Sequence, residues 1–268
     1  MILSRPISLV GRASNRMKEP EIRYYQDESD DFFETTRSFD LPKDYRWVRK
    51  DWLSVATSWL VYSVALAISY LYCRFFLHVR IKGKEKLPKG RRGYFVYGNH
   101  TQPVGDVFIP AHGCFPRRIY TVVSTANYAL PIIGKLLPYL GALPIGEDLS
   151  SLKKLKEAIA LRIDEGHPIV IYPEAHVWEY YTGIREFPAT SFHFPVANDA
   201  ETYCMTATYQ KRRFSRRPSI TVFLDGPFVA QGKSAKEKAA SLRDQVHACM
   251  TERSRLSEVS YIRYIKRS

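Results

Sequence analysis

The chain has 268 residues, of which 40 are Lys or Arg and 27 are Asp or Glu, so its net charge is +13. Apolar residues make up 45% of it, which excludes a wholly disordered chain. The basic balance indicates anionic partners, such as phosphate-bearing molecules, anionic lipid or nucleic acid. The four cysteines lie far apart without a Cys-x-x-Cys pair, which argues against a disulfide scaffold or a zinc ribbon and favours free thiols.

Residues 1–51 are predicted to form a polar N-terminal arm. They carry mixed charges and lack the apolar run of a secretory signal near the start. The part from Glu19 to Phe39 contains few helix or strand signals, so we expect an extended arm or a loosely docked tail.

Residues 52–79 are predicted to form a membrane helix. From Trp52 to Cys73 the chain runs 22 residues without a charge, a Gly or a Pro. At 1.5 Å per residue this is about 33 Å of helix, close to the hydrocarbon thickness of a bilayer. The alternative is a long buried core helix, although core helices rarely run uncharged for this length.

One face of this helix is small or polar, at helical spacing. Its members are Ser54, Ser58, Tyr62, Ala65, Ser69 and Tyr72. We expect this face to pack on protein and the opposite face to meet lipid. The helix then either spans the bilayer or lies shallowly in one leaflet.

A basic cluster follows the helix directly. Between positions 74 and 92 there are eight Lys or Arg residues and one acid, Glu85. By the positive-inside rule this places the following domain on the cytoplasmic side of a membrane, where the cluster suits anionic headgroups. Nucleic acid is a disfavoured partner, because the charge concentrates beside the membrane helix and no nucleic-acid motif is visible.

Residues 80–268 are predicted to form one α/β domain, with a mostly parallel central sheet flanked by helices. One helix is expected from Ser150 or Ser151 to Gly166, and another after the capping box of Ser234 and Glu237. Apolar runs predict five strands, at 94–97, 119–123, 169–172, 203–209 and 220–224.

The end of the first of these strands carries the candidate site. His100 follows the strand, and Asp106 lies six residues further on. Sites in α/β sheets form where strands end, and a His beside a carboxylate suits a general base whose tautomer the acid fixes. The spacing alone equally fits a surface His and a helix-capping Asp. The position at a strand end, behind a membrane helix with a basic flank, favours the catalytic interpretation.

Three blocks of the chain resemble, in order and spacing, the motifs of the glycerolipid acyltransferases, over about residues 53–223. The blocks are Asn99-His100 with Asp106, the segment 140–146, and Tyr172-Pro173-Glu174 after a buried strand. The first has five residues between His and Asp where the family has four. The second and third lack the family's Arg, and Gly146 and Val177 stand in those places.

This resemblance implies a membrane-bound O-acyltransferase of phospholipid biosynthesis. It would move a fatty acyl group from acyl-CoA or acyl carrier protein to a hydroxyl of a lysophospholipid, with lysophosphatidic acid as the default acceptor. His100 would be the base and Asp106 the orienting acid, with Gly105 absorbing the additional residue as a bulge. The expected partners are a phospholipid membrane, the thioester donor and the lysolipid acceptor, without a metal or a further cofactor.

Six further residues are predicted to bind substrate: Asn99, Thr101, Gln102, Glu174, His176 and Arg185. Glu174 would bind the polar head of the acceptor or support its own loop, and His176 would contact substrate or simply belong to that loop. Arg185 and Lys135 are the nearest basic residues to replace the missing phosphate-binding Arg residues.

Two other functions remain open at this point. One is a metal-assisted hydrolase that uses the His and acidic residues, although the spacings of the histidines show none of the usual zinc-ligand pairs. The other is a non-catalytic binder of anionic lipid, which the net charge of +13 suggests.

Overall fold

The computed structural model describes residues 20–32, 39–42, 44–146 and 148–267 of the chain. Of the predicted N-terminal arm, residues 1–19, 33–38 and 43 lie outside the described residues. The described part forms a mixed α/β fold whose central sheet is mostly parallel and flanked by helices, which confirms the predicted fold class.

The strands, in chain order, are β1 (Glu21–Tyr25), β2 (Arg80–Lys82), β3 (Phe95–Gly98), β4 (Tyr120–Ser124), β5 (Ala142–Ile145), β6 (Ile169–Ile171), β7 (Thr202–Gln210), β8 (Ser219–Phe228) and β9 (Ile262–Lys266). Seven of them form the central sheet in the order β2-β8-β7-β3-β6-β4-β5. The five strands from β7 to β5 are parallel, whereas β8 is antiparallel to β7 and β2 is parallel to β8. The ends of β3, β6 and β7 therefore meet at one edge of the sheet.

The α-helices are α1 (Trp52–Leu71), α2 (Gly105–Gly113), α3 (Ile133–Leu140), α4 (Leu149–Asp164), α5 (His193–Asn198) and α6 (Ala235–Ser254). A π-helical turn, Tyr72–Phe76, continues α1. Neighbouring residues of β3 point to opposite faces of the sheet. Val96 packs with residues of α2 and of the π-helical turn, and Tyr97 packs with residues of α4 and α6. Helices thus cover both faces, as expected for buried parallel strands.

All five predicted strands and both predicted helices of the α/β domain are present, with shifted ends. The capping box of Ser234 and Glu237 is confirmed. Helix α4 ends before Gly166, as predicted, where φ is +89°. Its predicted start is wrong, because Asp148 is the N-cap and accepts from Ser151 N at 2.9 Å. A carboxylate at this place also interacts favourably with the helix dipole.

The shorter elements α2, α3, α5, β2, β5 and β9 were not predicted. Helices α2 and α3 contain Pro110 and Pro138, which are signals for a turn or a helix end. Strand β2 has only three residues, too few for the alternation of apolar and polar residues to stand out.

The predicted loosely docked tail is partly wrong. Residues 21–25 form β1, which pairs in parallel with β9 near the opposite end of the chain. Arg23 donates to Glu179 at 3.1 Å, and the Tyr25 ring lies 4.7 Å from that of Trp178. Sequence reasoning missed β1 because the strand consists of polar and aromatic residues and its partner strand, β9, lies far along the sequence.

Helix α1 packs on the domain along its small and polar face, as predicted. Every member of that face is at least half-buried, and Tyr62 and Ser69 are fully buried. The opposite face exposes large apolar side chains, including Leu60, Val64 and Ile68. Within the described residues, Trp52–Phe76 is one helical segment long and apolar enough to cross a membrane, and little of it is buried.

Asp225 joins three elements of the fold, and its replacement tests their stability. It accepts from Arg253 of α6 at 2.8 and 2.9 Å and from Lys86, after β2, at 2.6 Å. Burial alone would raise the pKa of Asp225, but these hydrogen bonds outweigh it and hold the pKa below its usual value. Asp225→Asn should therefore lower the free energy of unfolding at pH 7 by about 1–3 kcal/mol, measured by denaturant titration.

The pH dependence follows from the direction of that shift. A carboxyl with a lowered pKa stabilises the fold above its unfolded pKa of about 3.9, and this is lost as the pH falls through the folded value. The difference in unfolding free energy between wild type and Asp225→Asn should therefore become smaller as the pH falls through that range. Asp244→Asn is the matched control, since Asp244 is 65% exposed and pairs with Arg243 at the surface. An equal loss of unfolding free energy in Asp225→Asn and Asp244→Asn would contradict the stabilising role given to the hydrogen bonds of Asp225.

Candidate active site

His100 and Glu174 follow two neighbouring parallel strands. Strands β3 and β6 pair from Phe95 with Ile169 to Tyr97 with Ile171, so their ends lie side by side. Glu174 Oε2 accepts from His100 N at 3.4 Å. His100 and Glu174 therefore lie at the same rim of the sheet.

The structure brings His100 and Asp106 into direct contact. His100 Nδ1 lies 2.8 Å from Asp106 Oδ2, which also accepts from Gln102 N at 2.9 Å. Asp106 is 4% exposed, and burial raises its pKa while the hydrogen bond from His100 opposes that shift. With Nδ1–H directed to the carboxylate, the unprotonated nitrogen of a neutral ring is Nε2. Nε2 has no hydrogen-bond partner among the described residues, and the ring is partly exposed.

The additional residue between His100 and Asp106 is absorbed by the turn that starts α2. Asp106 N donates to Gln102 O at 2.9 Å, and Asp106 lies in the first turn of the helix. The expected bulge at Gly105 is wrong, because Gly105 is helical and has no positive φ. A glycine is needed there for space, since a Cβ would lie 2.9 Å from Gln102 Cβ.

Tyr172 completes the surroundings of the His100 ring, and sequence reasoning gave it no role. The two rings stack with centroids 4.5 Å apart and 19° between their planes. Tyr172 OH donates at 2.6 Å to Asp106 O, a carbonyl left without its helical partner because Pro110 has no N–H. A Cβ on Gly98 would lie 2.6 Å from the Tyr172 ring, so this glycine makes room for the stack. The sequence feature that could have identified Tyr172 is its position at a strand end, directly before Pro173.

Asn99, Thr101 and Gln102 are buried and bonded inside the protein. Asn99 exchanges two hydrogen bonds with the backbone of Ala207, at 2.8 and 3.1 Å. Thr101 Oγ1 accepts from Tyr209 OH at 2.6 Å, and Gln102 Nε2 donates to the same hydroxyl at 3.2 Å. The structure therefore corrects their predicted contact with substrate: these side chains hold the turn that carries His100 against β7.

Glu174 and Arg185 form a buried ion pair. Arg185 donates to Glu174 Oε2 and to Glu28 O, each at 3.0 Å, and also to His176 O. Its side chain is 1% exposed, which contradicts a role in binding a substrate phosphate. Burial raises the pKa of Glu174, an effect that Arg185 opposes. Of the two roles open for Glu174, the geometry supports that of holding its own loop.

His176 lies at the outer end of this loop. Its Nδ1 is 3.2 Å from Asp31 Oδ2 in the N-terminal arm, and its side chain is exposed by about a third. The arm contacts the loop again where Trp178 Nε1 donates to Asp30 O at 2.8 Å. The arm thus covers the outer side of the loop that bears Glu174, and His176 belongs to that contact.

In the described part of the chain, one group of three side chains of the kinds that bind metal ions lies close together. Cys204, Asp225 and Cys249 bring one ligand atom each within 4.8 Å of one another. Both oxygens of Asp225 already accept from Arg253 and Lys86, so a cation would have to displace those salt bridges. None of the predicted site residues belongs to this group.

Comparison with known proteins supplies the class. The chain contains a segment, residues 78–209, that matches the family described as acyltransferase. It is therefore an acyltransferase enzyme, which confirms the expected class and sets aside the hydrolase and the non-catalytic lipid binder.

A solved structure and the curated sequences complete the comparison. The chain is similar to the crystal structure of the 1-acyl-sn-glycerophosphate (LPA) acyltransferase PlsC from Thermotoga maritima. The two are 13% identical with a TM-score of 0.49, over 75% of this chain and 94% of that chain. No curated protein sequence matches the chain.

The role of Arg185 can be tested by separating stability from substrate binding. Arg185→Ala leaves Glu174 buried without its partner, which should cost about 3–5 kcal/mol of unfolding free energy. The double variant Glu174→Gln/Arg185→Met, which removes both charges, should recover most of that loss. Thermal and denaturant unfolding provide the measurement. A phosphate-binding arginine would instead give unchanged stability with a raised KM for lysophosphatidic acid, and that result would contradict the structural role.

Proposed function

We propose that the chain transfers a fatty acyl group from a thioester donor, acyl-CoA or acyl carrier protein, to a hydroxyl of a lysophospholipid. Lysophosphatidic acid is the default acceptor. The observation that carries the proposal is the 2.8 Å contact between His100 Nδ1 and the buried Asp106 carboxylate at the end of β3, inside the segment that matches the acyltransferase family. A His held in this way is a general base with its second nitrogen free.

The proposed chemistry uses His100 Nε2 as the proton carrier. Nε2 takes the proton of the acceptor hydroxyl while the oxygen attacks the thioester carbonyl. Asp106 keeps the other ring proton on Nδ1 and stabilises the imidazolium that forms. Collapse of the tetrahedral intermediate breaks the C–S bond, and the imidazolium returns its proton to the departing thiolate. The products are the ester and the free thiol, so atoms and charges balance.

We also propose that α1 lies in one leaflet and does not span the bilayer. Its polar face bonds to the domain along much of its length: Ser58 donates to Tyr139 O at 2.8 Å, and Ser69 Oγ lies 2.8 Å from His112 Nε2. An upright helix would draw these domain segments into hydrocarbon, where their polar groups lack water. A helix lying in the interface keeps its exposed apolar face in lipid and its docked face on protein. The cytoplasmic location of the domain stays a prediction.

The acceptor phosphate needs cationic partners. The family's two Arg positions hold Gly146 and Val177, and Arg185 is committed to Glu174. Lys135, exposed on α3, is the remaining residue proposed for this contact. Lysophosphatidic acid remains the default acceptor of the proposal. Its rate of acylation is to be compared with that of neutral lysolipids, which need no cationic partner.

Substitution of His100 and Asp106 tests the catalytic roles. His100→Ala should lower acyl transfer from labelled acyl-CoA to lysophosphatidic acid by about 10²–10⁴-fold, the usual contribution of a general base. Asp106→Asn should lower kcat less. It should also move the acid limb of the pH–rate profile to lower pH, because the imidazolium loses its countercharge.

Two comparisons make this test specific. His193→Ala is the matched control, since His193 is exposed on α5. It should leave the rate unchanged. If His100→Ala kept more than a tenth of the wild-type turnover, His100 would not be the general base. An Asp106→Asn variant with an unchanged rate and pH profile would remove Asp106 from the mechanism.

The exposed face of α1 gives a separate test of membrane binding. The triple variant Leu60→Ser/Val64→Ser/Ile68→Ser removes three exposed apolar side chains from one line of the helix. At about 1.5–3 kcal/mol for each, partitioning into neutral vesicles should fall by at least about a thousandfold, measured by co-sedimentation. Val229→Ser, an exposed valine after β8 at the opposite sheet edge, is the control. Undiminished sedimentation of the triple variant would show that α1 is not the anchor.

A further inference from the structure

A cleft of about 750 Å³ opens between the end of the α1 segment and the loop joining β7 to β8. We call it the basic cleft. Its cationic lining residues are Arg74, Arg80, Lys211, Arg212 and Arg213. They come from three separate parts of the chain, namely the π-helical turn, the start of β2 and the β7–β8 loop.

These five cations face one acid, Glu258, whose carboxylate accepts from Lys211 N at 3.3 Å. Within the described residues none of the five side chains forms an ion pair with a carboxylate. The surroundings are accordingly positive: burial, then Arg212 and Arg74, lower the pKa of His78 in the same lining. Like charges gathered without counterions favour an anionic occupant, and Arg suits phosphate oxygens.

The lining continues into the apolar face of the α1 segment. Phe75 and Phe76 of the π-helical turn are exposed beside Arg74, and Phe214, next to Arg213, is 91% exposed. The Arg213 guanidinium lies 5.1 Å from the Phe214 ring centroid. Exposed aromatic rings alternating with cations match the boundary between lipid headgroups and acyl chains. The charge and this continuity favour a phosphate that belongs to a bilayer.

The cleft lies at the same sheet edge as His100. Strand β2 runs opposite to β7, so Arg80 at its start lies beside Gln210 at the end of β7 and Ser219 at the start of β8. Three strand spacings of about 5 Å separate β3 from β2, so the cleft is about 15 Å from the strand that bears His100. A headgroup in the cleft would therefore hold the catalytic edge against the membrane surface.

We propose that the basic cleft binds the phosphate-bearing headgroup of an anionic phospholipid at the membrane surface. The inference rests on the proposed function in one respect, the placement of α1 in one leaflet. It adds a lipid site distinct from the acyl acceptor, made of Arg and Lys residues that the catalytic chemistry does not use.

Calorimetric titration of the full chain in neutral detergent tests the site without turnover. The probes are short-chain phosphatidylglycerol, short-chain phosphatidylcholine, inorganic phosphate and CoA. Phosphatidylglycerol should bind, and Arg212→Gln/Arg213→Gln should weaken it by about thirtyfold, as expected for two cations near an anionic surface. Lys153→Gln/Lys154→Gln, an equal loss of exposed charge on α4, should leave it unchanged.

Two results would overturn the proposal. One is equal phosphatidylglycerol affinity in wild type and Arg212→Gln/Arg213→Gln. The other is a cleft-dependent affinity for CoA or inorganic phosphate that matches that for phosphatidylglycerol, since the ligand would then be soluble. His100→Ala should keep the lipid affinity while losing acyl transfer. If the wild-type protein binds phosphatidylglycerol but transfers no acyl group to any lysolipid, the proposed function is refuted and the lipid site of the basic cleft still stands.

Discussion

The hydrogen bond between His100 and Asp106 depends on a carboxylate that is almost entirely removed from water. A buried charge is tolerated when hydrogen bonds replace its hydration, and here His100 Nδ1 and Gln102 N do so on the same oxygen. The first turn of α2 adds the favourable end of a helix dipole. Tyr172 then confines the imidazole by stacking on it while bonding to the carbonyl that Pro110 leaves free. These contacts leave the other ring nitrogen, Nε2, free for the proposed proton transfer.

A second buried charge pair supports the first from the neighbouring strand. Glu174 accepts from His100 N and is held by Arg185, which in turn bonds to the carbonyl of Glu28 in the N-terminal arm. The arm, the loop after β6 and the turn after β3 therefore form one connected network. Because the arm also pairs with β9, a segment outside the acyltransferase-family match helps to hold the site inside it.

The features that could be predicted are those with a local signal. Strand ends and a six-residue spacing were enough to bring His100 and Asp106 together, and the 3.6-residue period identified the docked face of α1. Arg185 was misassigned because a sequence does not show that its carboxylate partner is also buried and that Glu28, far upstream, supplies an acceptor. The pairing of β1 with β9 was hidden for the same reason, since its partner lies at the other end of the chain.

The central claim is that the His100–Asp106 site moves an acyl group onto a lysolipid hydroxyl. The most direct test measures, with purified wild-type protein in vesicles, the free thiol released from acyl-CoA and the ester formed on lysophosphatidic acid. The account predicts one ester for each thiol and little thiol release when the acceptor is left out. Thiol release that is independent of the acceptor, without matching ester, would contradict it.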